Sequence, residues 1–96
     1  MKNYKVNKHN VLILGITGQD GSLLASSYLK KKHKVFGYLT TNNKNFSNLK
    51  KLGIFSKIKL FSFSKDSIEK VILKTKCKYI FFLSGLASVA KGNVNK

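Results

Sequence analysis

Arginine is missing from this sequence: all 19 cationic side chains are lysines, set against 3 carboxylates, for a formal net charge of +16 in 96 residues. Without a planar guanidinium fork the chain lacks the usual reader of base edges, and its lysines run from Lys2 to Lys96 instead of gathering on one element. A field so dispersed governs solubility and non-specific association, so nucleic acid is not the expected partner. Cys77 is the only cysteine. That excludes an internal disulfide and fits a reducing, cytoplasmic compartment, with the thiol in a buried or half-buried structural role. His9 and His33 have no cysteine or acidic neighbour at ligand spacing, so no metal site is expected, and both read as surface residues flanking strands. No apolar stretch approaches the ~18 residues of a membrane span, and the opening "MKNYKVNKHN" lacks the apolar core of a signal peptide.

What is present suits one small α/β domain. Apolar residues make up 43% of the chain, too many for a disordered tail despite the charge. After a polar, lysine-rich lead over 1–10, "VLILG" (11–15) is a continuous apolar run, the mark of a strand covered on both faces. From Asp20 to Lys32, Gly21, Leu24, Ala25, Tyr28 and Leu29 recur at helical spacing, and lysines close the last turn, where the helix dipole favours them. "KVFGYLT" (34–40) reads as a second strand and "TNNKN" as a loop. Phe46, Leu49 and Leu52 mark a short helix that Gly53 can end, and "KIKLFSFS" (57–64) alternates as a third strand. Ile68, Val71, Ile72 and Thr75 give a further helical face, starting near Asp66 and Glu69. "KYIFFLSG" (78–85) is the fourth strand. Strands alternating with helices predict a parallel sheet with right-handed crossovers, a partial Rossmann fold of about four strands in the order 3-2-1-4. The tail, 86–96, turns polar without a further element, so residues 1–96 read as a half-domain.

The glycines carry the chemistry. Gly15, Gly18 and Gly21 fall at Gly-x-x-Gly-x-x-Gly spacing directly after a buried strand and at the mouth of a helix, which is the context a dinucleotide fingerprint requires. The first glycine permits the tight turn, the second lets backbone approach a pyrophosphate, and the third allows close packing of helix on strand. Free N–H groups and the helix dipole then attract phosphate. Asp20, in the first helical turn, is expected to face away from the ligand and to cap, or bond to, the following turn.

The stretch "VLILGITGQDGSLLASSYLKKKHKVFG" resembles the N-terminus of the GDP-mannose 4,6-dehydratase family among the extended short-chain dehydrogenases/reductases, whose usual wording is "GITGQDGSYLAE". Gly15 through Ser22 match without a break, and "YIFFLSGLASVAKG" is similar to the family's "IYNLGAQSHV" segment, so the likeness spans roughly 10–92. It implies a cofactor, NADP(H) or NAD(H), and a nucleotide-sugar substrate such as GDP-mannose, oxidised at C4, dehydrated across C5 and C6, and reduced again at C6. By motif position Gly15, Thr17, Gly18, Gln19, Asp20 and Gly21 correspond to the pyrophosphate turn. Leu83, Ser84 and Gly85 would line the nicotinamide ribose, and Ser88 would lie near the sugar.

Three departures from the family pattern qualify the expectation. Where relatives carry an arginine pair for the 2′-phosphate of NADP, this chain has Thr40, Thr41, Asn42 and Asn43, with Lys44 able to meet a phosphate as a point charge. This leaves the choice between NADP and NAD open. The family's Asp-Leu for adenine is replaced by Ser62-Phe63 or its neighbours. No catalytic residue is assigned, because the family's Tyr-x-x-x-Lys pair lies beyond Lys96; Tyr4 with Lys8 and Tyr28 with Lys32 share that spacing but belong to the lead and to the buried stripe of the first helix. The chain is therefore expected to be inactive alone, as the cofactor-binding part of an enzyme that lacks its C-terminal half or assembles as a homo-oligomer. A non-catalytic nucleotide-binding module is the alternative, and behind it a basic nucleic-acid-binding domain. A fourth strand with one bare edge also predicts self-association.

Overall fold

The structure, a computed structural model, describes residues 8–42 and 44–83; the lead 1–7, Asn43, and 84–96 with Ser84, Gly85 and Ser88 lie outside the described residues. Its elements are β1 (Asn10–Leu14), α1 (Gln19–Lys30), β2 (Lys34–Leu39), α2 (Ser47–Lys51), a 3-10 turn (Phe55–Lys57), β3 (Lys59–Ser62), α3 (Ile68–Thr75) and β4 (Tyr79–Phe82). The four strands form one sheet in the order β3-β2-β1-β4, and every pairing is parallel. This is the partial Rossmann-like α/β fold that the pattern of apolar runs predicts.

β1 is the centre because its sequence has no polar face. Val11, Leu12 and Ile13 are fully buried and Leu14 nearly so. Successive side chains of a strand point to opposite faces, and the core divides accordingly. Val11 and Ile13 join Val35, Ala25 of α1 and Leu49 of α2 in one cluster, with Leu24 and Leu29 packed against it. Leu12 and Leu14 join Tyr38, Phe61 and Val71 of α3 in the other. A strand that must satisfy two covered faces reads as an unbroken apolar run, which is why "VLIL" shows no alternation.

Boundaries shift where local hydrogen bonding outbids the apolar pattern. β3 begins at Lys59 rather than Lys57, because Ile54 and Ile58 are both buried and the chain between them closes a 3-10 turn, with Lys57 N–H donating to the Ile54 carbonyl at 2.9 Å. It ends at Ser62, whose hydroxyl accepts the Ser64 N–H at 3.2 Å and whose carbonyl accepts from Lys65 and Asp66. α3 starts one residue past Ser67, which caps it by accepting the Lys70 N–H at 3.2 Å. Gly53 ends the α2 segment in the left-handed region, φ +72°, as its position suggested.

The chain leaves β1 towards β2 and β3 on one side and returns to the other side as β4, so the order reverses between β1 and β4. In such sheets a crevice opens at the carboxyl ends of the two strands flanking the reversal. Among the described residues no helix is long and apolar enough to cross a membrane.

Candidate functional site

The turn that leaves β1 lies at that crevice. Gly15 has φ +85°, a conformation that costs a side-chain-bearing residue roughly 1–2 kcal/mol. From there the chain doubles back: the Gly18 N–H donates to the Gly15 carbonyl at 3.1 Å, and the Ser22 N–H to the Gly18 carbonyl at 2.9 Å as α1 begins. Ile16, fully buried, pins the turn to the core, and Asn48 of α2 donates its side-chain amide to the Thr17 carbonyl at 2.9 Å. The turn is therefore held from both sides without a ligand.

The other two glycines meet different surroundings. A Cβ on Gly21 would collide with the Gly15 carbonyl oxygen and come within 2.8 Å of the Ile16 Cα, both backbone atoms. Only hydrogen at that position lets α1 approach the end of β1. A Cβ on Gly18 would meet nothing nearer than the Gly15 oxygen at 3.5 Å, and Gly18 has an ordinary extended conformation, φ −75° and ψ 172°. The fold itself does not need glycine there. What Gly18 leaves is open, exposed backbone in front of a helix whose first N–H groups, those of Gln19, Asp20 and Gly21, meet no acceptor among the described residues. No side chain caps this helix. Such an arrangement can hold an anion, through donors already in place and the positive end of the α1 dipole.

Asp20 stands in the first turn, where its charge suits the dipole, but it is exposed and makes no hydrogen bond or ion pair among the described residues. The expected cap is absent because the N-cap position is Gly18, and the only side chain that bonds locally is Ser22, whose hydroxyl donates to the Gln19 carbonyl at 2.9 Å. Thr17 is half-buried, Gln19 exposed, and Thr40 exposed just past the end of β2. Leu83 is half-buried, its N–H donating to the Leu14 carbonyl at 2.8 Å, so it does sit beside the glycine turn across the β1/β4 reversal.

A cleft of about 330 Å³ lies next along the sheet, at the carboxyl ends of β2 and β3, with Leu39, Phe46 and Phe61 as apolar walls and Lys44, Ser62, Lys65 and Asp66 among its polar residues. The lysines of this cleft are exposed and have no ion-pair partner among the described residues. The family pattern singled out Lys44 by its position after β2 but not Lys65 or the aromatic walls; these come together only when β2 and β3 pair. No group of three or more potential metal ligands exists among the described residues. Tyr28 packs its ring at 5.4 Å from His33 and 5.6 Å from Phe81 on the α1 side of the sheet, which removes the Tyr28–Lys32 spacing from the site.

No curated protein matches the chain closely enough to be informative. The model of one family, GDP-mannose 4,6 dehydratase, matches residues 12–93. That span runs from within β1 through the glycine turn and every described element that follows, and the chain accordingly belongs to the GDP-mannose 4,6 dehydratase family of nucleotide-sugar enzymes.

Proposed function

We propose that this chain is the NAD(P)-binding part of a nucleotide-sugar dehydratase acting on GDP-mannose. One observation carries the reading: Gly18 is a glycine that its own fold does not require, placed where a side chain would intrude on whatever meets the free N–H groups of α1. Gly15, Thr17, Gly18 and Gln19 hold the pyrophosphate through backbone, and Gly21 keeps the helix mouth close to the strand. Asp20 lies at the same turn with its carboxylate turned to solvent. Leu83 flanks the nicotinamide ribose; Ser84 and Gly85 are assigned to the same ribose, and Ser88 to the sugar, by motif position in the sequence alone. Bound nicotinamide supplies the acceptor and later the donor of the hydride exchanged with the sugar. The protein's part at this site is to orient that ring.

The adenosine end falls in the β2/β3 cleft, beyond Thr40. Lys44 and Lys65 there are positive and unpaired among the described residues, Asp66 on the same lining is paired with Lys74 at 3.9 Å, and no carboxylate directly follows β2 to take a ribose hydroxyl. This favours a 2′-phosphate and hence NADP over NAD.

Titration of the purified chain with NADPH and NADH by fluorescence tests the reading. Saturable binding of NADPH is expected, tighter than that of NADH. Gly18→Val should abolish it while far-UV circular dichroism stays unchanged. Lys44→Ala should weaken NADPH binding and leave NADH binding nearly as it was. Absence of saturable binding of either nucleotide by a folded chain would overturn the proposal.

A further inference from the structure

The opposite end of the sheet holds a feature that cofactor binding does not use. His9 and His33 immediately precede β1 and β2, at the amino ends of two paired strands. Sequence alone suggested two independent surface residues. Instead they are half-buried and stacked on each other, ring centroids 5.5 Å apart and planes 9° from parallel. The His9 backbone N–H donates to Nδ1 of His33 at 3.0 Å. His33 must therefore present a lone pair at Nδ1 and carry its proton on Nε2. The next rung is the Lys34 N–H to the His9 carbonyl at 3.1 Å, so this imidazole closes the ladder between β1 and β2.

Among the described residues neither ring has a counter-charge. α1 contributes the Tyr28 ring against His33, and β4 contributes the Tyr79 ring edge-on to His9 at 5.5 Å, with Lys78 beside it. Lys34, Lys57 and Lys59 line the same shallow cleft as His33, and Lys8 and Lys32 are its chain neighbours. The three Asp and Glu side chains are elsewhere. Asp20 and Glu69 occupy first turns of helices, and Asp66 lies two residues before α3, next to its cap Ser67. Helices that return antiparallel to a parallel sheet place those first turns at the carboxyl ends of the strands. The separation is roughly the length of a strand, about 15 Å, beyond the screening length at physiological salt.

We infer that His9 and His33 form an acid-sensitive clamp, which joins the amino ends of β1 and β2 while both rings are neutral and releases them when either ring gains a proton. A proton at Nδ1 of His33 occupies the lone pair that accepts the His9 N–H, and the hydrogen bond is lost. A charge on both stacked rings sets like charges face to face among lysines. Partial burial, then Lys78, then His33 itself hold the His9 imidazole below its ordinary value. The unfolded chain accordingly takes up the proton first as pH falls, so the clamp's stability is complete above about 6.5 and is lost progressively below it.

Histidine is the only side-chain type of the sequence that ordinarily changes charge between pH 5 and 7, and His9 and His33 are its two copies. The thermal midpoint of the 96-residue chain should fall between pH 7.5 and pH 5.5. In the double variant His9→Asn/His33→Asn the drop should vanish, because an Asn at 33 keeps an acceptor near Nδ1 but does not titrate. Amide exchange on the unaltered chain gives a second readout that needs no variant. After correction for intrinsic rates, the His9 amide should lose about tenfold of its protection at pH 5.5 relative to Leu12, the scale of one lost hydrogen bond. A midpoint that stays level in the unaltered chain, a drop of equal size in the double variant, or a His9 amide whose protection does not change would each overturn the clamp.

Discussion

Gly18 and Gly21 are three positions apart and serve different masters, a difference that measurement can separate. Gly21→Ala drives a methyl into the Gly15 carbonyl and the Ile16 Cα, so α1 must lift from the end of β1; a loss of about 3 kcal/mol in urea unfolding is expected. Gly18→Ala meets only ordinary contact, so its unfolding free energy should stay within about 1 kcal/mol of the parent while nucleotide binding falls. Equal effects of the two on stability would show that Gly18 is as structural as Gly21. Tyr38 makes a similar point on the other face. It is buried, its hydroxyl donates to the Asp66 carbonyl at 2.8 Å, and burial, followed by the charges of Asp66 and Glu69, holds the phenol above its ordinary value. Tyr38→Phe should cost about 1 kcal/mol at pH 7, the worth of one hydrogen bond left without its donor. The unaltered chain should then lose that contribution as pH rises from about 10 through the higher value in the folded state.

The elements carry their own strain and relief. α1 closes with the Lys32 N–H on the Leu29 carbonyl and the His33 N–H on the Tyr28 carbonyl, and this reversal puts Lys32 at φ +72°. Glycine is the residue such a helix end favours, so Lys32→Gly should stabilise the chain by about 1 kcal/mol, read as a higher melting temperature. At the other helix, Ser67→Ala should cost about 1 kcal/mol through the lost bond to the Lys70 N–H. Most elements were legible because periodicity reflects burial: "VLIL" has two covered faces, and Ile68, Val71, Ile72 and Thr75 have one. The 3-10 turn at Phe55–Lys57 was not, since its cause is the simultaneous burial of Ile54 and Ile58, a tertiary fact. The histidine pair was hidden for a like reason. Twenty-four residues separate His9 from His33, and only the β1–β2 register brings them face to face.

At the scale of the whole molecule, charge and edges dominate. One ion pair, Lys74 to Asp66 at 3.9 Å with the lysine half-exposed, is all that offsets a net charge of +16 among the described residues, and an exposed pair of this kind contributes little. Mutual repulsion should therefore yield to screening, and the melting temperature should rise as sodium chloride goes from about 0.05 to 0.5 M. Within the described sheet β4 pairs only with β1, and Phe82 on it is 68% exposed and Tyr79 40%. Concentration-dependent association is expected in analytical ultracentrifugation, diminished by Phe82→Lys, which places a charge on the edge. The sequence by itself determined the strand–glycine–helix unit, the parallel order and the family, because burial of an apolar run and the spacing of three glycines are local properties. Tertiary structure alone decided which glycine is structural and which is open to a ligand, where lysines and aromatic walls form one cleft, and that two distant histidines share a hydrogen bond. Each of these depends on atoms that sequence distance keeps apart and strand pairing brings within contact.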